Sequence, residues 1–296
     1  HACCSSDGTL LYTTESESSS GRGLLGVREI HRDFLQIAEL DLHGIGPHDL
    51  LLRPDGRHLV VAIGGLLIHP AQPGVPLNLD TMVSGLHTVD TRSGEVVARH
   101  DAPFPQLSVR HLALDRRGNV WFGCQYEGLA TDRVPLAGCL QPGAAALRFL
   151  DADEGIWQAH RQYIGSVACA PVYGSSSGTG SDILVLSSPR GHCLSFWRTD
   201  PGSFLRRLTF EDGCAVAPLP HTVQDPATGA AWLAASGKGR LLGIPNAWLQ
   251  DAAEISVEYS AENTTAPPME RAILSARGAT VQWDNHAATL LVSSNG

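Results

Sequence analysis

One pattern recurs along this chain: a polar lead residue, a short apolar strand, a glycine-bearing turn and a second apolar strand. The fullest copy runs from His43 to Gly65. There, His43-Gly44-Ile45-Gly46-Pro47-His48 leads into Leu50-Leu51-Leu52, a Pro54-Asp55-Gly56 turn, and His58-Leu59-Val60-Val61-Ala62. Five further segments overlay on it. His1 precedes Ser6-Asp7-Gly8 and an apolar run over 9–14; His111 precedes Asp115-Arg116-Arg117-Gly118 and a run over 119–123. Ser166 and Cys214 lead strands over 183–187 and 231–235 through longer turns, and His286 leads a strand over 289–294. The lead residues recur at intervals of roughly 50 to 70 residues, at or above the ~40–50 residues of a four-stranded propeller blade.

Each unit also has an outer half. Residues 86–90 and 95–98 flank Thr91-Arg92-Ser93-Gly94, and residues 193–197 and 204–208 flank Asp200-Pro201-Gly202. Such turns supply the positive φ that tight hairpins need. Glycine and proline make up about a sixth of the 296 residues, which favours many short strands over long helices. Short strands bury both faces only by stacking, and stacking blades about an axis also removes most exposed edges. The expected fold class is therefore all-β, a single β-propeller domain over 1–296, with a pair of β-sandwiches as the alternative. Six units are visible. Because the chain opens on His1 inside a unit, an N-terminal portion is expected to be missing, with seven blades in the full protein. A short surface helix is expected over 151–163, and long loops over 66–83, 127–143 and 261–270.

Composition excludes several functions. The net charge of −9, with only 21 Lys and Arg and no basic cluster, gives nucleic acid no electrostatic footing. No apolar run reaches the length of a membrane span. Seven cysteines, an odd count without a C-x-x-C pair, argue against a zinc ribbon or a thioredoxin-like site. A P-loop is missing, and Gly21-Arg22-Gly23 reads as a glycine turn, not a phosphate cradle.

Chemistry then concentrates in the lead residues. In a propeller the innermost strands run along the central channel, so equivalent residues at one end of them face each other around its mouth. His1, His48, His111 and His286 are the expected metal ligands, because neutral imidazole suits iron, copper or zinc. His43, Arg110, Arg190 and Gln125 are expected at the same mouth, the guanidinium groups favouring an anion. The bland alternatives stay open beside this. Histidines at strand ends often bond to a carbonyl of the next unit, the arginines can form ion pairs, and Asn78 and Asp80 can simply cap turns.

The runs Leu10-Leu11-Tyr12-Thr13-Thr14-Glu15, His43 to His48, Leu77 to Met82, Arg110-His111-Leu112-Ala113, Trp121 to Tyr126, Ser187 to Gly191 and Trp283-Asp284-Asn285-His286 together resemble one family. It comprises bacterial β-propeller proteins of unknown function, exported by the twin-arginine route. They are often encoded beside imelysin-type peptidase-like proteins and other iron-uptake components. The resemblance covers essentially the whole chain. It implies a periplasmic propeller with a signal peptide and about one blade ahead of His1, and an iron-related setting by neighbourhood only. The expected function is a periplasmic binding protein, metal-binding at the histidines, partnered by other envelope metal-uptake proteins. Two alternatives are kept. One is a metal- or histidine-dependent enzyme at the channel mouth, a lactonase-like hydrolase or an oxidoreductase. The other is an interaction scaffold with structural histidines.

Overall fold

The computed structural model describes residues 1–69, 71–72, 74–171, 181–219, 230–245 and 248–249. The chain divides into two compact units, His1–Leu150 and Asp151–Gly296.

The first unit holds three four-stranded antiparallel sheets. One contains β1 (Ala2–Cys4), β2 (Leu10–Ser16), β3 (Arg22–Glu29) and β4 (Leu35–Ile45) in sequence order. The next contains β5 (Pro47–Leu52), β6 (His58–Ile63), β7 (Gly85–Asp90) and β8 (Val96–Asp101). The third contains β9 (Leu107–Leu114), β10 (Val120–Tyr126), β11 (Ala137–Leu140) and β12 (Arg148–Phe149). The first strands of the three sheets, β1, β5 and β9, are neighbours in that order.

The first hairpin of each sheet turns on an aspartate. The Asp7 carboxylate accepts from the Thr9 amide and from the hydroxyls of Ser5 and Thr9. Asp55 accepts from the amides of Arg57 and His58, and Asp115 from those of Arg117 and Asn119. An aspartate that bonds the backbone ahead of it fixes a tight turn. The glycine that follows in each case, Gly8, Gly56 or Gly118, takes a φ of 70°, 68° or 78°, where a side chain would be strained. These bonds hold the Asp7 and Asp55 carboxyls down at about 2, led by the Ser5 hydroxyl for Asp7 and by His58 for Asp55.

The middle strand β6 is apolar almost throughout, and the outer strand β8 alternates. Leu59 through Ile63 of β6 are all buried, whereas β8 alternates between half-buried and exposed positions. A strand packed on both faces must read as a continuous apolar run, and one facing water on one side reads with period two. Trp121 and Phe122 of β10 are completely buried. Each such side chain contributes about 2–3 kcal/mol of burial. The Trp121 indole N–H donates to Asp115 at 2.9 Å, so its one polar atom is satisfied by the turn aspartate.

The second unit opens with α1 (Glu154–Ala159), followed by β13 (Ser166–Pro171), β14 (Asp182–Ser188), β15 (Cys193–Arg198) and β16 (Ser203–Thr209) in one sheet. A three-stranded sheet follows, with β17 (Gly213–Pro218), β18 (Ala230–Ser236) and β19 (Leu241–Pro245). The strands β13 and β17 are again neighbours.

The repeated inner hairpins and the outer hairpins over 85–101 and 193–209 lie where the sequence pattern puts them. Three expectations need correction. The loop expected over 127–143 contains β11, whose Ala-Gly-Cys-Leu sequence is too short to show a period. The expected helix is shorter, because Arg161 and Gln162 take left-handed φ values of 46° and 61° that end it. The long pair β3 and β4 was not anticipated; β4 mixes apolar and polar residues and buries only Leu42. The strand expected over 289–294, the sixth lead residue His286 and the loop over 261–270 lie outside the described residues.

Candidate metal centre

Two β-bulges shape the edge where β5 and β9 meet. Pro47 pairs with Ile63 and Leu50 with Val61, so His48 and Asp49 together stand opposite Ala62. Val109 pairs with Cys124 and Leu112 with Phe122, so Arg110 and His111 stand opposite Gly123. A bulge inserts one extra residue and re-aims the side chains on either side of it. The two bulges occupy the same register position. Across them, however, His48 matches Arg110 and Asp49 matches His111, one residue away from the equivalence expected between His48 and His111.

The rings meet all the same. The centroids of His48 and His111 are 4.8 Å apart in an edge-on arrangement. Those of His1 and His48 are 4.9 Å apart, and those of His1 and His111 are 5.6 Å apart. One ligating nitrogen from each of the three lies within 4.8 Å of the other two. His111 is buried and His48 half-buried, while the His1 side chain is 19% exposed. The cluster is thus walled by protein and open on one side.

Asp49 organises the cluster. One carboxylate oxygen lies 2.9 Å from Nδ1 of His1 and accepts from the Leu50 amide at 2.8 Å. The other accepts from the Leu112 amide at 2.9 Å, tying β5 to β9 next to His111. A carboxylate only accepts, so Nδ1 of His1 carries the proton and its lone pair sits on Nε2. This carboxylate–histidine arrangement is the usual way a ligating imidazole is oriented and made more basic. Thr14 fixes the strand ends: its amide donates to the His1 carbonyl at 3.0 Å, and its hydroxyl donates to the His48 carbonyl at 3.1 Å. The sequence reading passed over Asp49 and Thr14. The signal for Asp49 was an acidic residue directly ahead of Leu50-Leu51-Leu52.

Arg110 also reaches the cluster. Its Nη1 is 3.2 Å from Nδ1 of His48. Guanidinium is a donor only, so Nδ1 of His48 accepts and the ring proton is on Nε2.

These residues fit a transition ion. Three imidazoles suit zinc, copper, iron or nickel. A tetrahedral ion with bonds of about 2.0–2.1 Å holds its nitrogens about 3.3 Å apart, so the rings need only small rotations inward. Three protein ligands leave at least one coordination position for another molecule.

The other expected site residues have partners of their own. His43 is outside the trio. It takes a φ of 52°, its amide donates to Asp41 at 2.6 Å, and its ring is 3.6 Å from the same carboxylate and 52% exposed. The Gln125 amide donates to Glu127 along the strand. Arg190, in the second unit, lies over the Tyr163 ring at 4.6 Å. Asn78 caps a turn, accepting from the Leu67 amide and donating to the Gly65 carbonyl, each at 2.8 Å. Ser166 and Cys214, the expected counterparts in the second unit, are buried at strand starts. His286 is not among the described residues.

Comparison with known proteins adds the family and the fold. The profile of a family described as "Protein of unknown function (DUF1513)" matches residues 1–290. No curated protein matches the chain by sequence. Among solved structures, a chain of "Crystal Structure of Mitotic Checkpoint Complex" is similar with a TM-score of 0.56 at 12% identity, over 83% of this chain and 61% of that one. A chain of "Kuenenia stuttgartiensis Hydrazine Synthase" is similar with a TM-score of 0.53 at 15% identity, over 82% and 63%. The chain therefore spans less than two thirds of either. At such identities the likeness concerns fold alone, and that fold is β-propeller-like.

Proposed function

This chain belongs to the DUF1513 family of proteins of unknown function, and from that premise we propose that it is a metal-binding protein whose ion sits among His1, His48 and His111. The observation that carries the reading is the convergence of three imidazole nitrogens within 4.8 Å, one ring being held by Asp49. Imidazoles this close offer several nitrogen ligands to one cation. A shared cation gives their convergence a purpose.

The setting we propose is the one the family resemblance suggests: export to the periplasm and service beside other envelope proteins that take up iron or another metal. The chain is then a single β-propeller domain.

Elemental analysis of the purified protein tests the site. About one equivalent of metal per chain is expected, with loss of that metal in both His48→Ala and His111→Ala while the far-ultraviolet spectrum stays that of a folded β protein. Wild-type protein that folds normally and takes up no iron, copper or zinc overturns it.

A further inference from the structure

The three candidate ligands stand on three successive sheets. His1 leads β1, His48 lies on β5 and His111 on β9. One ion among them joins the inner strands of all three sheets at a single point. Those strands are anchored very unequally. β9 buries Leu107, Val109 and His111, and β5 buries Leu50. β1 is three residues long and buries none of them: Cys3 is half-buried, and Ala2 and Cys4 are exposed.

The sheets of β5 and β9 are also tied to each other by protein groups. The Leu112 amide donates to Asp49 at 2.9 Å, and the Ser108 hydroxyl donates to the Gly64 carbonyl, just past the end of β6, at 2.7 Å. β1 pairs with β2 over three residues, from Ala2 with Thr13 to Cys4 with Leu11. At its leading end the Thr14 amide donates to the His1 carbonyl at 3.0 Å, and the His1 ring bonds to Asp49 at 2.9 Å. The attachment of β1 to β5 therefore includes the ligand residue itself.

A segment opens locally at a cost set by the apolar contacts and hydrogen bonds it gives up, so β1 costs least to open of the three ligand-bearing strands. An ion held by all three histidines binds the closed form more tightly than an open form that His1 has left. Occupancy then holds β1 shut, and opening of β1 weakens the grip on the ion.

Resting on the metal-site reading above, we propose that β1 is the moving leaf of the site: His1 is the ligand that engages last and leaves first, while His48 and His111 stay on a fixed frame. Metal enters and leaves by local opening of β1, with the other strands in place. Cys3 reports that opening, because while β1 is in place it packs against the buried cluster that contains Tyr12, Leu50 and Leu59.

The full chain carrying Cys4→Ser, which removes the exposed neighbouring thiol, tests this with and without zinc. Two readouts are followed: residue-resolved hydrogen exchange, and iodoacetamide labelling of Cys3 read by peptide mass. Zinc affinity is measured separately by competition with a chromophoric chelator. In the metal-free chain, exchange of the Thr14 amide is expected to be insensitive to low urea, because local opening exposes little surface, whereas exchange of the Leu112 amide on β9 accelerates with urea. Zinc at about a hundred times its dissociation constant lowers the open population by up to about a hundredfold, so Thr14 exchange and Cys3 labelling are expected to slow at least about tenfold. In His1→Ala, zinc is expected to bind more weakly and to protect neither. Zinc that binds and changes neither readout overturns the proposal and leaves the metal site standing. Thr14 exchange that rises with urea in step with Leu112 overturns the local opening. Protection that survives in His1→Ala overturns the role of His1. Failure of the chain with His1 intact to bind zinc instead overturns the metal site itself.

Discussion

Two histidine sites in this molecule are built in opposite ways. In the second unit, His160 is completely buried, and both ring nitrogens are used by the protein. Nδ1 donates to the Ile156 carbonyl at 2.8 Å, and Nε2 accepts from the Ser195 hydroxyl at 2.9 Å, which accepts in turn from the Trp197 indole at 2.9 Å. Burial pushes the His160 pKa down to about 4, so the ring stays neutral. In the first unit, His1, His48 and His111 face one another at a half-open edge, and their best-defined partners are charged, Asp49 and Arg110. The His160 chain is closed, each donor meeting one acceptor, and its work is to lock a helix onto a sheet. The trio instead brings one ligating nitrogen from each ring within 4.8 Å of the other two. A histidine's role is thus read from where its second nitrogen points, more than from its burial or its position in a repeat.

That contrast can be broken most forcefully at His160. Replacing it with alanine removes two buried hydrogen bonds and opens a cavity beside Trp197, so we expect about 4 kcal/mol of destabilisation in urea unfolding with metal content unchanged. A loss below about 1 kcal/mol would mean the closed network is not structural in this sense.

The pH dependence sharpens the same point. An unfolded chain protonates His160 near its ordinary value of 6.5, whereas the folded chain keeps the ring neutral down to about 4. Stability is therefore complete above pH 6.5 and falls by about 3 kcal/mol as the pH drops to 4. Burial pushes His87 down as well, adding loss in the same direction. Asp7 and Asp55, held at about 2, lose their contribution only below their ordinary value of 3.8, outside this window. Denaturant midpoints measured from pH 7.5 to 4 should fall in wild type and flatten in His160→Ala.

On the other side of the comparison, Asp49→Asn keeps the shape but removes the carboxylate that orients His1. Metal affinity should drop about 10–100-fold, with a stability change of only about 1 kcal/mol. An unchanged affinity in a competition titration would separate Asp49 from the site. The smallest effect belongs to His43, whose left-handed φ of 52° costs a side chain something and whose ring is outside the trio. His43→Gly should leave metal binding untouched and shift stability by less than about 1 kcal/mol.

Much of the fold was legible because the turns announce it. Asp7-Gly8, Pro54-Asp55-Gly56 and Asp115 to Gly118 mark hairpins by local chemistry alone, and the apolar runs between them are long enough to show burial on two faces. The strands β4 and β11 were not read, the first because it has no turn signal like those of the inner hairpins and buries only Leu42, the other because four residues carry no period. At the site, the repeat named His1, His48 and His111 but placed His48 and His111 in equivalent positions. Their real register is one residue apart, and a β-bulge leaves no mark in an apolar pattern. Arg110 was expected at the same mouth, but as an anion-binding group and not as a partner of His48, and nothing in the apolar pattern marks Asp49 as spanning from His1 to the Leu112 amide.

The most direct test of the central claim, that three imidazoles close on one ion, is X-ray absorption of the zinc-loaded chain. The account predicts imidazole scattering from about three nitrogens near 2.0–2.1 Å, falling by about one in His48→Ala and by about one in His111→Ala. A zinc shell made of sulfur or carboxylate oxygen, or one unchanged in both variants, would contradict it.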